Sequence, residues 1–225
     1  SYISNAPTPN SENLYFQALT EHLGEYLWFS HTITPLNHFK DWFVFLLFPA
    51  GMKVLGNLII VSFFNSVAAG LVYLTLRNFN LPKWLALSSA ILVSIRLIGW
   101  DAWFMSGSWD LFNPFLLSLL AWSFSHYWIK KSLVRALIIG GAGFFLVSSL
   151  QTATVVAVPC IGLFTLLFSD SKRRVKTMCI ALIPPLLLIG TLVVKNGVQH
   201  GVYAPTTGAG QNIIQNLNLA LISPN

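Results

Sequence analysis

Six apolar stretches dominate the chain, each about the length an α-helix needs to cross a hydrocarbon core of roughly 30 Å. They cover approximately residues 55–76, 84–100, 111–129, 133–150, 152–169 and 178–194. The fourth and fifth nearly meet at Gln151, so some residues at that boundary must form a turn. Only 9% of the 225 residues are charged, whereas a typical soluble domain carries about a quarter. The chain lacks the polar coat needed to face water all round. The expected fold is therefore all-α: a polytopic integral membrane helical bundle with about six transmembrane helices, joined by juxtamembrane helices outside the membrane.

The charges fall on alternate loops. Arg77 and Lys83 flank the first connection, Lys130, Lys131 and Arg135 the third, and Lys172, Arg173, Arg174 and Lys176 the fifth, which places nine of the thirteen basic residues on one side. Six of the seven acidic residues (Glu12, Glu21, Glu25, Asp41, Asp101 and Asp110) fall on the other. The positive-inside rule makes the basic side cytoplasmic, so both ends of the chain are expected on the extracytoplasmic side. The net charge of +6 then orients helices and attracts membrane lipids with anionic headgroups. Nucleic acid is excluded as a partner, because no basic face is interleaved with aromatics. Three regions follow: an extracytoplasmic segment with amphipathic juxtamembrane helices at 1–53, the six-helix bundle at 54–195, and an extracytoplasmic loop at 196–225.

The outward amino terminus, with neither signal peptide nor initiator methionine, leads us to expect a further hydrophobic helix upstream of Ser1. The carboxyl end stops without another anchor, which suggests a fragment of a longer protein. Near the start, ENLYFQA at residues 12–18 reads either as native sequence or as a laboratory protease site. Phe16, Leu19, Leu23, Tyr26 and Leu27 share one helical face that runs through the supposed junction, which favours native origin and describes an amphipathic helix on the outer membrane face. A second interfacial segment follows at 34–43, running through Val44 to Ala50 and a break at Gly51.

This proline-containing approach, its aromatic run and the glycine before the first span resemble the first outer loop of GT-C-type polytopic glycosyltransferases, which use lipid-phosphate sugars. The resemblance extends to the string after the last span, where Lys195, Asn196, Gly201, Tyr203, Thr206, Thr207, Gly210 and Asn212 fit the pattern common in that group. His200 departs from it where an aromatic is expected, and Gly208 where a tryptophan is expected. The resemblance implies transfer of a sugar from a polyprenyl phosphate at the outer membrane surface, by an active enzyme or an inactive relative. It also implies a carboxylate base just after the first helix, hence upstream of Ser1. Within the chain, Glu21, Glu25 and Asp41 are the first-loop substitutes, with Asp41 and Glu21 retained as catalytic candidates. Each reads more simply as a solvated charge on an interfacial helix. No DxD or DxE pair occurs.

Such chemistry needs cations on the departing phosphate and a polar cleft. Arg96, four residues inside its span, and Lys195, at the outer edge of the last, are the substrate-binding candidates for phosphate. Lys53 has a weaker case. Snorkelling to the interface, or pairing of Arg96 with Asp101 or Asp110, is the more common fate of such residues. Asp101, Trp103, Trp109 and Asp110 crowd one outer loop and could line a carbohydrate site, since rings stack on sugar faces and carboxylates accept hydroxyl hydrogen bonds. Tryptophans also anchor helices at interfaces.

Five histidines show no metal-binding spacing. No cofactor is required by the sequence, although a divalent metal is compatible with the resemblance. His126, among aromatics near the cytoplasmic end of a span, could ligate a pigment, or it hydrogen-bonds a neighbouring helix. Asn57 and Asn65 read as interhelical hydrogen-bond formers. Gly140, Gly141 and Gly143, with Ala68, Ala69 and Gly70, would allow close helix contact. Cys160 and Cys179 read as small core residues, and Pro184-Pro185 as a kink. The rival function is a non-catalytic structural or accessory subunit of a larger membrane complex, pigment-binding if His126 serves as ligand.

Overall fold

The computed structural model describes residues 20–24, 35–48, 52–103, 113–149, 153–201, 203 and 204. Among these residues the regular structure is helical throughout. Seven helices follow in order: α1 (Pro35–Leu47), α2 (Lys53–Asn78), α3 (Lys83–Trp103), α4 (Asn113–Ile129), α5 (Leu133–Ser149), α6 (Ala153–Phe168) and α7 (Arg174–His200). Residues 20–24 add a fragment of helical backbone within the first amphipathic segment. The remainder of that segment, including residues 12–18, lies outside the described residues. The last six helices coincide with the six apolar stretches. Two of them, over Val54–Asn78 and Arg174–Gln199, are long and apolar enough to cross a membrane, whereas Lys83–Ile95, Leu133–Ser149 and Val156–Phe168 are shorter apolar helices.

Helix ends follow local chemistry. Asn80 adopts a left-handed φ of 61°, a conformation asparagine tolerates better than most residues. This turn closes α2, and Arg77 Nη1 then donates to the Leu81 carbonyl at 2.6 Å. Gly201, with a left-handed φ of 70°, caps α7. Two boundaries differ from expectation. Helix α3 continues through Gly99 to Trp103, so Asp101 and Trp103 stand on a helix and not in a loop. Helix α7 runs from Arg174 through His200, so Lys195 to His200 are helical and the segment expected as a loop from residue 196 leaves the helix only at Gly201. Pro184 and Pro185 lie inside that continuous helix.

The helices pack in the order α3–α2–α4–α5–α7, with α6 against α5 and α7, and α1 bridging α2 and α5. Helix α5 is the hub. Its buried residues include Ala136, Gly140, Ala142 and Gly143, and these small side chains let neighbouring backbones approach closely. A Cβ on Gly140 would stand 2.7 Å from the Ala181 carbonyl oxygen and 3.0 Å from Pro184 Cδ. One on Gly143 would collide with Ile161 Cδ1, and one on Gly141 would meet nothing within 4 Å. The central cluster of Leu116, Leu120, Ile139, Leu146 and Ile161 fills the space between α4, α5 and α6.

The exterior is apolar. Phe63, Leu92, Val134, Val156, Leu187 and Val194 are all exposed on helix faces. Cys160 and Cys179 are exposed as well, which corrects the core assignment: each lies on the outward side of its helix. Asn57 Oδ1 is buried without a hydrogen-bond partner, so that oxygen does not form the expected interhelical bond.

The glycine contacts give a paired expectation. Gly140→Ala should lower stability by about 1–3 kcal/mol, because the new methyl must push α7 away. Gly141→Ala should be neutral or slightly stabilising through helix propensity. Thermal unfolding of both variants in one detergent, monitored by tryptophan fluorescence, checks the contrast.

Candidate functional site

Apart from Asn65, midway along α2, the buried polar side chains among the described residues lie toward the two ends of the bundle. At the basic end, Asn78 Nδ2 donates to Ser125 Oγ at 2.9 Å, and Tyr127 OH and Ser169 Oγ lie 2.8 Å apart. Arg135 Nη1 reaches the His126 carbonyl, and Lys131 Nζ approaches Asp170 Oδ1 at 3.5 Å between exposed loops. Phe164 stacks on Phe124 with centroids 4.2 Å apart, and Trp128 meets Phe168 edge-on at 4.9 Å. This layer joins α2, α4, α5 and the α6–α7 turn with groups that satisfy one another.

The opposite end carries different chemistry. Ser149 Oγ donates to Asn113 Oδ1 at 3.2 Å, joining α5 to α4. Ser148 Oγ turns back to the Phe145 carbonyl at 2.7 Å. On α7, Lys195 is 9% and Asn196 3% exposed. Both are engaged within the molecule, Asn196 through Nδ2 to the Ala204 carbonyl at 2.8 Å.

The residues after Lys195 form a fold-back. The N–H of Gly201 bonds the Gly197 carbonyl at 3.1 Å, the chain reverses at its left-handed φ, and the Tyr203 ring lies over Gly197. A Cβ at Gly197 would stand 2.9 Å from Tyr203 Cζ and closer still to Cε1 and Cδ1. Tyr203 remains 77% exposed. Asn196, Gly197, Gly201 and Tyr203 thus act together as a helix terminator that displays a tyrosine over Gly197.

Asp41 on α1 overturns one reading. It is 6% exposed and engaged within the molecule, so it is not a solvated charge: α1 packs on α2 and α5, and the acid faces the protein. Glu21 is exposed and engaged. Arg96, Asp101 and Trp103 stand on α3 with side chains outside the described part of the structure, as does the side chain of Lys53 on α2. Trp109 and Asp110 lie outside the described residues, as do Thr206, Thr207, Gly210 and Asn212. In the principal packing order α2, α4 and α5 stand between α3 and α7, so those contacts do not bring Arg96 and Lys195 onto adjoining helices. His126 is half-buried, and its ring stacks on Trp122 with centroids 5.0 Å apart and planes at 16°. Among the described residues no group of three or more His, Cys, Asp or Glu could hold a metal ion.

Sequence reasoning missed Asn113, Ser148 and Ser149. Their signal is a pair of hydroxyls closing one apolar stretch and an asparagine opening another, at the same end of the bundle. No protein-family model, curated protein or solved structure matches the chain.

Gly197→Ala should expel the Tyr203 ring, and Gly201→Ala should cost about 1–2 kcal/mol from a side chain forced into the left-handed region. In either variant, hydrogen exchange at the backbone amide of position 201 should accelerate while exchange in α5 is unchanged.

Proposed function

We propose that the chain is a six-span membrane bundle that handles a polyprenyl-phosphate-linked sugar at the face opposite the basic loops, as a GT-C-like glycosyltransferase or an inactive relative. The carrying observation is the inverted polarity of the bundle. Large apolar side chains cover the outside, while Asp41, Ser148, Ser149, Lys195 and Asn196 are buried near one end. In water that exterior would be a large unpartnered apolar surface; in lipid it is the solvated face. Helices α4 and α5, with 17 residues each, extend about 25 Å at 1.5 Å per residue, near the lower limit for crossing. Six spans, with both ends of the described chain on the non-basic side, fit the loop charges.

The sugar-handling part rests on the end opposite the basic loops. Lys195 supplies the positive charge that a departing lipid phosphate requires, and the fold-back after α7 exposes the Tyr203 ring, which could stack on a sugar. Within this chain the buried acid is Asp41. One observation favours the rival accessory-subunit reading: Lys195 and Asp41 are already engaged within the molecule, which a purely structural role would also require.

Two measurements test this. Single cysteines at Ser132 and Ser171 should react with an impermeant reagent from one side of sealed vesicles, and one at Tyr203 only from the other; labelling of all three from one side would refute the six-span arrangement. Purified protein supplied with polyprenyl-phosphate sugars and an acceptor should release polyprenyl phosphate, and Lys195→Ala should slow release about tenfold, close to 1.4 kcal/mol, with Lys195→Arg retaining more. No release, together with co-purification in fixed ratio with other chains, would establish the accessory subunit instead.

A further inference from the structure

The described side chains of α1 are reversed relative to a helix lying on an aqueous surface. Phe39, Phe43, Leu46 and Leu47 are exposed, whereas Asp41, Val44 and Phe45 are buried. At 3.6 residues per turn the four exposed positions share an arc of roughly 100°. A helix at a protein–water boundary turns its apolar stripe inward and its charges outward. Here the acid is inside and the aromatics are outside.

The docking of α1 explains which face is which. Val44 and Phe48 close over Gly56 on α2, where an added Cβ would stand 2.9 Å from Val44 Cγ1 and 2.6 Å from Phe48 Cδ2. Leu36 packs against the central cluster of the bundle. The Val44 and Phe48 contacts fix the Asp41 side toward protein, while Leu36, in the first turn and on the arc of Phe43 and Leu47, meets the bundle where α1 begins. The opposite side continues an apolar surface that α2 begins, where Met52, Val54, Leu55 and Ile59 are all exposed. Gly56 lies near the start of α2, and Arg77, in its last turn, marks the basic end. The apolar surface therefore lies in the half of the bundle away from the basic loops. Thirteen residues extend only about 20 Å, too short to cross a core of about 30 Å.

We propose that α1 is a half-membrane helix: acyl chains of the leaflet opposite the basic loops cover its Phe39, Phe43, Leu46 and Leu47 face, and the same docking turns Asp41 inward toward α2 and α5. The inference rests on the membrane reading of the bundle. It places α1 below the headgroups, not among them as an amphipathic surface helix would be. Acyl chains are the matching occupant because the face is continuous with the outward face of α2, a helix long and apolar enough to cross the membrane.

The test uses nitroxide labels placed singly at Phe39, Phe43, Leu46 and Leu47, in the full chain carrying Cys160→Ala and Cys179→Ala, reconstituted in phosphatidylcholine–phosphatidylglycerol vesicles. Collision with molecular oxygen, which partitions into acyl chains, is compared with collision with a water-soluble nickel chelate. Labels at Phe63 and Leu187 serve as lipid references and one at Ser171 as the water reference. All four α1 sites should match Phe63 and Leu187, with the oxygen-to-nickel preference reversed relative to Ser171. Nickel access at the α1 sites with oxygen preference at Phe63 and Leu187 would overturn the proposal while leaving the membrane bundle standing. Nickel access at Phe63 and Leu187 as well would overturn both. Protection from both reagents with spin–spin broadening would assign the face to a second copy of the chain, which also overturns the proposal. Should a label disturb folding, cross-linking of the unsubstituted chain to a phospholipid with a diazirine at the acyl terminus should mark peptides from 35–48; marking of 53–78 without 35–48 counts against the proposal.

Discussion

Pro184 and Pro185 deprive α7 of two backbone donors, and the centre of the bundle is assembled around that deficit. The carbonyls of Ile180 and Ala181 would ordinarily accept from the residues four positions on, which here have no N–H. A carbonyl left bare in apolar surroundings is costly, and it is costlier in lipid, where no water can compensate. The bundle brings Gly140 of α5 so close to the Ala181 oxygen that a methyl there would stand only 2.7 Å from it. The same approach seats Pro184 on Gly140 and Pro185 near Gly143. Helix α5 can be the hub because its small residues face more than one neighbour: Gly140 admits α7 and Gly143 admits Ile161 of α6.

With the middle of the bundle fixed by close contact of small residues, its two ends are left to polar groups. At the basic end the solution is neutral and reciprocal: hydroxyls meet an amide or one another in Asn78–Ser125 and Tyr127–Ser169. Charged groups there stay on exposed loops or reach backbone carbonyls. Each interhelical hydrogen bond of this kind is worth only about 0.6–2 kcal/mol in a membrane, so several are needed to define register. The end opposite repeats the device in Asn113–Ser149 and adds two ionisable groups, Asp41 and Lys195, withdrawn from solvent.

The gross plan of the chain was legible because apolar length and loop charge are properties of single segments. Six helices stand where six apolar stretches predicted them, and the close contacts at Gly140 and Gly143 follow from small residues spaced along one stretch. Boundaries were less legible. The second span was expected to end near Trp100 and the last near Val194, yet α3 continues to Trp103 and α7 to His200, because a helical glycine such as Gly99 or Gly197 costs only about 1 kcal/mol, and Gly201 has the positive φ that ends α7. The string from Lys195 to Tyr203 was recognised as a pattern, but its physical content, a terminator in which Tyr203 lies over Gly197, needs coordinates. The sidedness of Cys160, Cys179 and Asp41 was misread for a shared reason. Sequence shows which residues are apolar, but not whether an apolar face looks at protein or at lipid, since both are equally good solvents for it.

That ambiguity makes the two buried ionisable groups informative. If the polar residues opposite the basic loops served only to hold helices together, neutral pairs would suffice, as they do at the basic end. Withdrawing a carboxylate and an ammonium from water carries a desolvation penalty that their partners at best repay, and replacing such groups by well-packed apolar residues is often neutral or stabilising. Asp41 and Lys195 therefore have a weak claim as stabilising elements. Lys195 stands on α7, the helix packed most extensively on α5, so the glycine–proline contact holds the platform from which it projects, whereas Asp41 stands on α1, which rests mainly on α2. A rigid support beneath an ionisable group is what positioning of a charged ligand demands, and buried ionisable groups distinguish the end opposite the basic loops from the basic end, where neutral pairs join the same helices.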